Sequence, residues 1–258
     1  MTRPTQPTTT WSPRAPEWDA YLAAEAAWEK SPEGVTTLAA EKAKQRPSAK
    51  ARFDEALPGA IEKLMRNDHW SGGPVLGLPQ LAVDIVLSGM IETPALAAVR
   101  GAEDICILAG APGTSKTVSA TAWVHEYIAR PENWTPSDSS ADHGLPHFRG
   151  TPPLWISAAQ LARISHFEQA AVDAVAKARR LVIDDLGAEY NDPKGFFVSL
   201  LDELIDARYS GQRPTIVTTN LDAAAFTARY GTRIVDRIRE ACRFFNCANV
   251  SLRRRSAP

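Results

Sequence analysis

The residues Gly110-Ala111-Pro112-Gly113-Thr114-Ser115-Lys116-Thr117 have types and a spacing suited to holding phosphate. A glycine-bearing turn lets successive backbone N–H groups converge on one anion, and a helix opening behind it adds positive potential. Lys116 can then reach β- and γ-phosphates, and Thr117 can offer an oxygen to Mg²⁺. The run departs once from the pattern G-x-x-x-x-G-K-[ST]: Ser115 stands where the pattern has glycine. A side chain there can crowd the phosphate or resist a left-handed backbone. Serine is small, however, and keeps the N–H that does the binding. The alternative is an ordinary strand–turn–helix with a chance Lys-Thr pair.

A second candidate is Leu181-Val-Ile-Asp184-Asp185. Three apolar residues ending in two carboxylates describe a buried strand whose tip emerges where open α/β sheets bind ligands. Asp184 would hold Mg²⁺ directly or through water, and Asp185 would orient and deprotonate an attacking water. Alone, such a pair is a solvated turn. Thr215-Ile-Val-Thr218-Thr219-Asn220 is another apolar run with a polar end. Asn220 could hydrogen-bond the water or the γ-phosphate, or simply form a turn or helix N-cap. Residues 229–255 hold eight Arg and no Lys, against Asp236 and Glu240. Arginine's preorganised fork suits phosphate or carboxylate; a solvated helix face is the plain alternative.

These residues need a scaffold, and the surrounding texture supplies one. Strand-like runs at Asp104–Ala109, Pro153–Ser157, Leu181–Asp185, Thr215–Thr219 and Phe244–Leu252 alternate with helical periodicity. That alternation predicts a parallel α/β sheet. Ala120, Trp123, Val124, Tyr127 and Ile128 share one helix face, as do Phe197, Leu200, Leu201, Leu204 and Ile205. Gly211 is placed to cap the second of these helices. Residues 130–152 read as a long surface loop, rich in Pro, Ser, Asp and Gly.

The N-terminal part has a different character. Residues 1–16 contain four Pro and five Thr and read as a disordered tail. Residues 17–100 read as a helical region, with helices at 17–30, around 58–68 and at 79–89. Breaks are expected at Pro32, Pro47 and the SGGP turn at 71–74. Trp18 and Trp28 could anchor a partner or pack within this region. Residues 101–258 form the second unit.

Composition narrows the classes. Apolar residues at 44% and charged residues at 23% exclude a wholly disordered chain. A net charge of -1 means that any nucleic-acid contact must come from a local patch. No apolar run reaches the ~18 residues of a membrane span, and the N-terminus lacks the apolar core of a secretory signal. Cys106, Cys242 and Cys247 form no CxxC pair, so a reducing, cytoplasmic setting is expected.

In their order, the phosphate loop, Asp184-Asp185-Leu-Gly-Ala-Glu189, Ala207-Arg208-Tyr209, Thr218-Thr219-Asn220 and Tyr230-Gly-x-Arg233-x-x-Asp236-Arg237 resemble the AAA+ ATPases. They resemble most the DnaC-type helicase loaders and IstB-type transposition ATPases, phage-encoded relatives included. The likeness spans residues 101–255 and closes on Ser251-Leu252-Arg253, similar to that group's terminal Ser-aromatic-Arg. It implies a five-stranded parallel sheet in the order 5-1-4-3-2 with no helical lid domain, and the chain ending soon after the fifth strand agrees. It implies ATP and Mg²⁺ as cofactors. Asp185 would take a role usually given to Glu, and Asn220 would be the sensor. Arg237 would be an arginine finger reaching a neighbouring subunit's nucleotide, with Arg233 the alternative. The implied function is ATP hydrolysis in DNA replication, loading a replicative helicase, with single-stranded DNA bound non-specifically. A transposase helper and a nucleotide-gated binding protein with little hydrolysis are the alternatives. Residues 158–180 leave little room for the extra helix that some loaders use to grip DNA.

Overall fold

The computed structural model describes residues 2–7, 16–45, 48–66, 77–89, 92–137, 144–149, 151–164, 168–190 and 195–247. Five helices come first: α1 (Pro16–Glu29), α2 (Pro32–Gln45), α3 (Ala49–Arg66), α4 (Gln80–Leu87) and α5 (Pro94–Val99). Pro32 and Pro94 each sit at a first helical position, where a missing N–H costs nothing. Helix α3 starts well before the expected residue 58 and carries Pro58 inside it. Its opening is rich in Ala, Lys, Arg and Glu, which are polar on average yet strong helix formers. Trp18 and Trp28 are buried, so they pack rather than present a docking face. The Arg3 guanidinium lies 4.9 Å over the Trp28 ring.

The α/β part then alternates: β1 (Ile105–Ala109), α6 (Lys116–Ile128), a short ribbon of β2 (Trp134–Pro136) and β3 (Pro146–Phe148), and β4 (Leu154–Ser157). There follow α7 (Ala158–Ile164), α8 (Gln169–Lys177), β5 (Leu181–Leu186) and α9 (Phe196–Ser210). The remaining elements are β6 (Thr215–Thr219), α10 (Ala223–Tyr230), α11 (Thr232–Ala241) and β7 (Cys242–Asn246). The main sheet runs β4-β5-β6-β1-β7, and every pairing in it is parallel. Setting the ribbon aside, this is the expected 5-1-4-3-2 order. Every residue of β1 and β6 is buried, as central parallel strands covered on both faces require.

The sheet divides the core. On one face Trp123, Tyr127 and Val124 of α6 meet Met65, Val83 and Leu96 from α3, α4 and α5. On the other, Leu161, Leu201, Leu204 and Phe226 pack on Ile107, Ile183 and Val217. Helices α3, α4 and α5 are thus built into the α/β core.

Two expectations are corrected in detail. The stretch 130–152 is not all loop, because β2 and β3 pair Trp134 with Phe148 and both are buried. Their rings meet edge-on at 5.2 Å, and Trp134 Nε1 donates to the Ile128 carbonyl. Three-residue strands carry too few alternations to show a period. The last strand starts at Cys242 rather than Phe244, and the expected stretch from 248 to 252 lies outside the described residues. Gly211 caps α9 as expected, and the left-handed residue beside it is Gln212, at φ 48°. Among the described residues, no helix is long and apolar enough to cross a membrane.

Arg208 is fully buried on α9. Its guanidinium donates to the carbonyls of Val175, Ala176, Ala178 and Pro214, clamping the C-terminal end of α8 and the entry to β6. Helix-end carbonyls lack intrahelical donors, so this cation fills an inherent vacancy in the bonding. Burial lowers its pKa to about 9, which leaves it protonated at neutral pH. Arg208→Met should therefore cost about 3 kcal/mol or more, because several carbonyls lose their donors at once. Urea unfolding of the variant against the wild type measures this directly.

Candidate functional site

The 110–115 loop joins the C-terminal end of β1 to the first turn of α6. Gly110 has φ 151°, and a Cβ there would lie 2.8 Å from the Cys247 carbonyl oxygen, so the close approach of the chain after β7 demands glycine. Ser115 adopts φ 64° and ψ 12°, the left-handed conformation that the usual glycine provides. Its hydroxyl donates to Thr93 Oγ1 at 3.1 Å. Thr93 in turn accepts from the Leu96 N–H as the N-cap of α5. The departure from the pattern thus carries an added bond, tying the loop to the helical region.

Lys116 is buried, and its ammonium donates to the Gly110 and Ala111 carbonyls at 2.7 and 2.9 Å. It also donates to Asn220 Oδ1 at 3.0 Å. The Asn220 amide nitrogen donates onward to Asp185 Oδ1 at 3.0 Å. Lysine, asparagine and aspartate therefore form one chain across the ends of β1, β6 and β5. Thr117 Oγ1 donates to Asp184 Oδ1 at 3.1 Å, and Thr218 Oγ1 donates to the same oxygen at 2.6 Å. The Thr218 hydroxyl also accepts from the Asp185 N–H at 2.9 Å.

Neighbouring strand residues normally face opposite sides. Here the β5–β6 register shifts between Ile183 and Leu186, and Asp185 takes φ 58°. Such an irregularity re-aims a side chain. It brings Asp184 and Asp185 together at one strand end. Asp184 is half-buried, and that burial raises its pKa against the opposing pull of the Thr218 and Thr117 hydrogen bonds. A cation beside it would relieve that desolvation. Two oxygen donors, Asp184 and Thr117, in direct contact suit Mg²⁺, which keeps its waters and takes few protein ligands. Among the described residues, no three or more His, Cys, Asp or Glu group as an all-protein cage.

Beyond β5 the chain is anchored by Glu189, which is buried. It accepts from the Gly187 N–H, from Arg229 and from the Tyr230 hydroxyl, each at 2.7 Å. Burial and the neighbouring carboxylate raise the Tyr230 pKa, which keeps the hydroxyl a donor. Arg229 is therefore an internal partner and not part of a free cationic patch. Arg233 pairs with Asp202 of α9 at 3.2 Å. Arg237 lies on α11, but its side chain is outside the described residues, as are Arg253, Arg254 and Arg255.

The loop opens into a cleft of ≈ 710 Å³ shared by Pro112, Gly113, Thr117, Asp185 and Asn220. Its opposite wall is α4, with Leu81 and Ile85. Leu81 is 74% exposed and Ile85 39%, an unusual apolar display beside polar groups. Sequence reasoning places a helix at 79–89 but gives it no part in the site. It also gives Thr218 no role, although the hydroxyl joins both acids. The i, i+4 pair Leu81/Ile85 is a visible signal, but nothing in the chain order places it across from the loop.

A parallel sheet in this order, with a phosphate-type loop after the interior strand β1 and paired acids near the end of β5, two strands away, is the AAA+ P-loop NTPase fold. No protein-family model and no curated protein matches the chain. Among solved structures, it is similar to a protein described as a primosome component from Streptococcus pyogenes serotype M3. The identity is 18%, the match covers 69% of this chain and 93% of that one, and the TM-score is 0.50. A DnaC helicase loader matches at 19% identity over 65% of this chain and 90% of that one, with a TM-score of 0.45. DnaI matches at 19% identity over 74% and 93%, with a TM-score of 0.44.

The Ser115 geometry makes a paired prediction. A left-handed non-glycine residue costs about 1 kcal/mol, and a hydrogen bond such as that to Thr93 returns about as much. Ser115→Ala keeps the strain and loses the bond, so stability should fall by about 1 kcal/mol. Ser115→Gly loses both and should stay within about 0.5 kcal/mol of the wild type. Chemical unfolding curves of the three proteins check the order.

Proposed function

We propose that this chain binds ATP with Mg²⁺ and hydrolyses it, and that it acts as a helicase loader in DNA replication. The observation that carries the ATPase reading is the connected set Lys116, Asn220, Asp185, Asp184 and Thr117 at one sheet edge. The loop N–H groups and Lys116 would hold the phosphates, displacing the contacts that Lys116 makes with the loop carbonyls. Thr117 and Asp184 would hold Mg²⁺, which supplies charge neutralisation on the phosphates when bound. Asp185 is exposed, so it can meet a water, accept its proton and aim it, while Asn220 fixes the carboxylate through its amide. Leu81 and Ile85 offer an apolar wall for the nucleoside. Arg237 would complete a neighbouring subunit's site.

The loader reading rests on the residues shared with that group. Two of its motif segments, Asp184–Glu189 and Tyr230–Arg237, meet through the Glu189–Tyr230 hydrogen bond. The replicative helicase is the proposed partner, and single-stranded DNA the proposed nucleic acid. Residues 17–100 are proposed to contribute to partner binding through surfaces other than Trp18 and Trp28.

Calorimetric titration with ATP and Mg²⁺ tests the site. Wild type should bind, Lys116→Ala should lose affinity by about 100-fold, the scale of losing a buried charged contact or two, and Asp185→Asn should bind without turnover. Equal titration curves for wild type and Lys116→Ala would remove the assignment.

A second assay addresses Arg237. An arginine finger contributes about 10³–10⁵ in turnover, so Arg237→Ala and Asp185→Asn should each be nearly inactive alone. Mixed together, they should recover phosphate release, peaking near equal proportions, because some interfaces combine an intact Asp185 with an intact Arg237. Co-assembled mixtures that stay inactive would show that Arg237 does not act across subunits.

A further inference from the structure

The opposite edge of the sheet, where β1, β5 and β6 begin, holds a second cleft of ≈ 670 Å³. Arg130, Arg179 and Arg180 line it, with Lys177 and Arg213. Three of these guanidinium groups crowd one ring: Arg180 lies 4.7 Å, Arg179 5.8 Å and Arg130 5.9 Å from the centre of Tyr127. Among the lining residues, the carboxylates are Glu103 and Asp104. Glu103 serves Arg180 at 2.7 Å and Arg130 at 3.6 Å. Arg179 is exposed and has no ion pair among the described residues. The Arg180 guanidinium has its pKa lowered, first by burial, with the Arg130 charge adding to the effect. The Tyr127 hydroxyl is buried without a hydrogen-bond partner among the described residues.

Donors therefore outnumber acceptors here, and like charges are held together in a chain of net charge -1. Cations near helix ends can serve only to offset helix dipoles, and α6, α8 and α9 all end at this edge. That task is already met at α8 by Arg208 and by Arg213, which donates to the Ala176 carbonyl at 2.9 Å. Arg130 and Arg179 donate to no helix carbonyl through their guanidinium groups among the described residues. A gathering of guanidinium forks short of acceptors is complementary to an oxyanion with several lone pairs.

We propose that this cleft binds a phosphate group, from a nucleic-acid backbone or from a free phosphorylated ligand, at the sheet edge remote from the phosphate loop. It stands apart from the ATPase reading, which the ATP titration tests separately.

The test uses the full chain carrying Lys116→Ala, so that the phosphate loop is silenced. It is titrated with inorganic pyrophosphate and, separately, with a fluorescent single-stranded oligothymidylate. The same titrations are run with Arg130→Ala and Arg179→Ala added, and with Arg179→Glu alone, an exposed change that leaves the fold intact. Binding of one or both probes, weakened about tenfold or more by each arginine change, is expected, since a charge-assisted hydrogen bond is worth at least that. For the oligonucleotide, the slope of affinity against salt should also flatten by about 0.7 for every phosphate that is no longer neutralised. Pyrophosphate binding alone identifies a free ligand; oligonucleotide binding alone identifies the backbone. Failure of both probes to bind, or binding unchanged by Arg179→Glu and by the double alanine change, overturns the proposal.

Discussion

One hydroxyl, that of Thr218, holds both acids of the site to the same strand end. It donates to the Asp184 carboxylate and accepts from the Asp185 N–H. Through Asp184 it reaches Thr117 on α6, and through Asp185 it reaches Asn220 and Lys116. Remove that hydroxyl, and a half-buried carboxylate loses its best donor while a backbone N–H loses its acceptor. The arrangement therefore depends on β6 lying between β5 and β1, since only that order sets Thr218 against both acids.

Strain collects around this network. The non-glycine residues with positive φ include Ser115 and Asp185, one at the phosphate loop and one at the acid pair. Both conformations run against the ordinary preference of L-residues, and both are held by specific contacts. Ser115 is tied to Thr93, and Asp185 is fixed by Thr218 and Asn220. The raised pKa of Asp184 belongs to the same pattern, because its desolvation is a standing cost that a bound cation would offset.

The two edges of the sheet are built differently. At the carboxyl end, donors and acceptors are matched into a network. At the amino end, arginines clamp helix termini, and a surplus of them gathers over Tyr127. Arg208 and Glu189 are two of the buried charges, one bound by carbonyls and the other by Arg229 and Tyr230. Each sits inside a motif segment of the chain, yet each acts on the fold and not on a reacting atom.

The chain by itself determined the parallel sheet and the polar residues that end its strands. Apolar runs of four to six residues, the 3.6-residue faces of α6 and α9, and the Gly110–Thr117 spacing are local properties, written in consecutive residues. The tertiary structure decided everything that depends on contact between distant segments. Thr93 is 22 residues from Ser115, so its bond has no signature in the loop. The wall made by Leu81 and Ile85 needs α4 folded onto α6. Arg229 reads as a surface cation in the sequence, but Glu189, 40 residues earlier, lies beneath it in the fold. The cluster over Tyr127 is likewise assembled from separate stretches that meet only because β1, β5 and β6 start at one edge. Periodicity and spacing report what a segment prefers. Which charges end up paired, and which stay in surplus, is settled by packing.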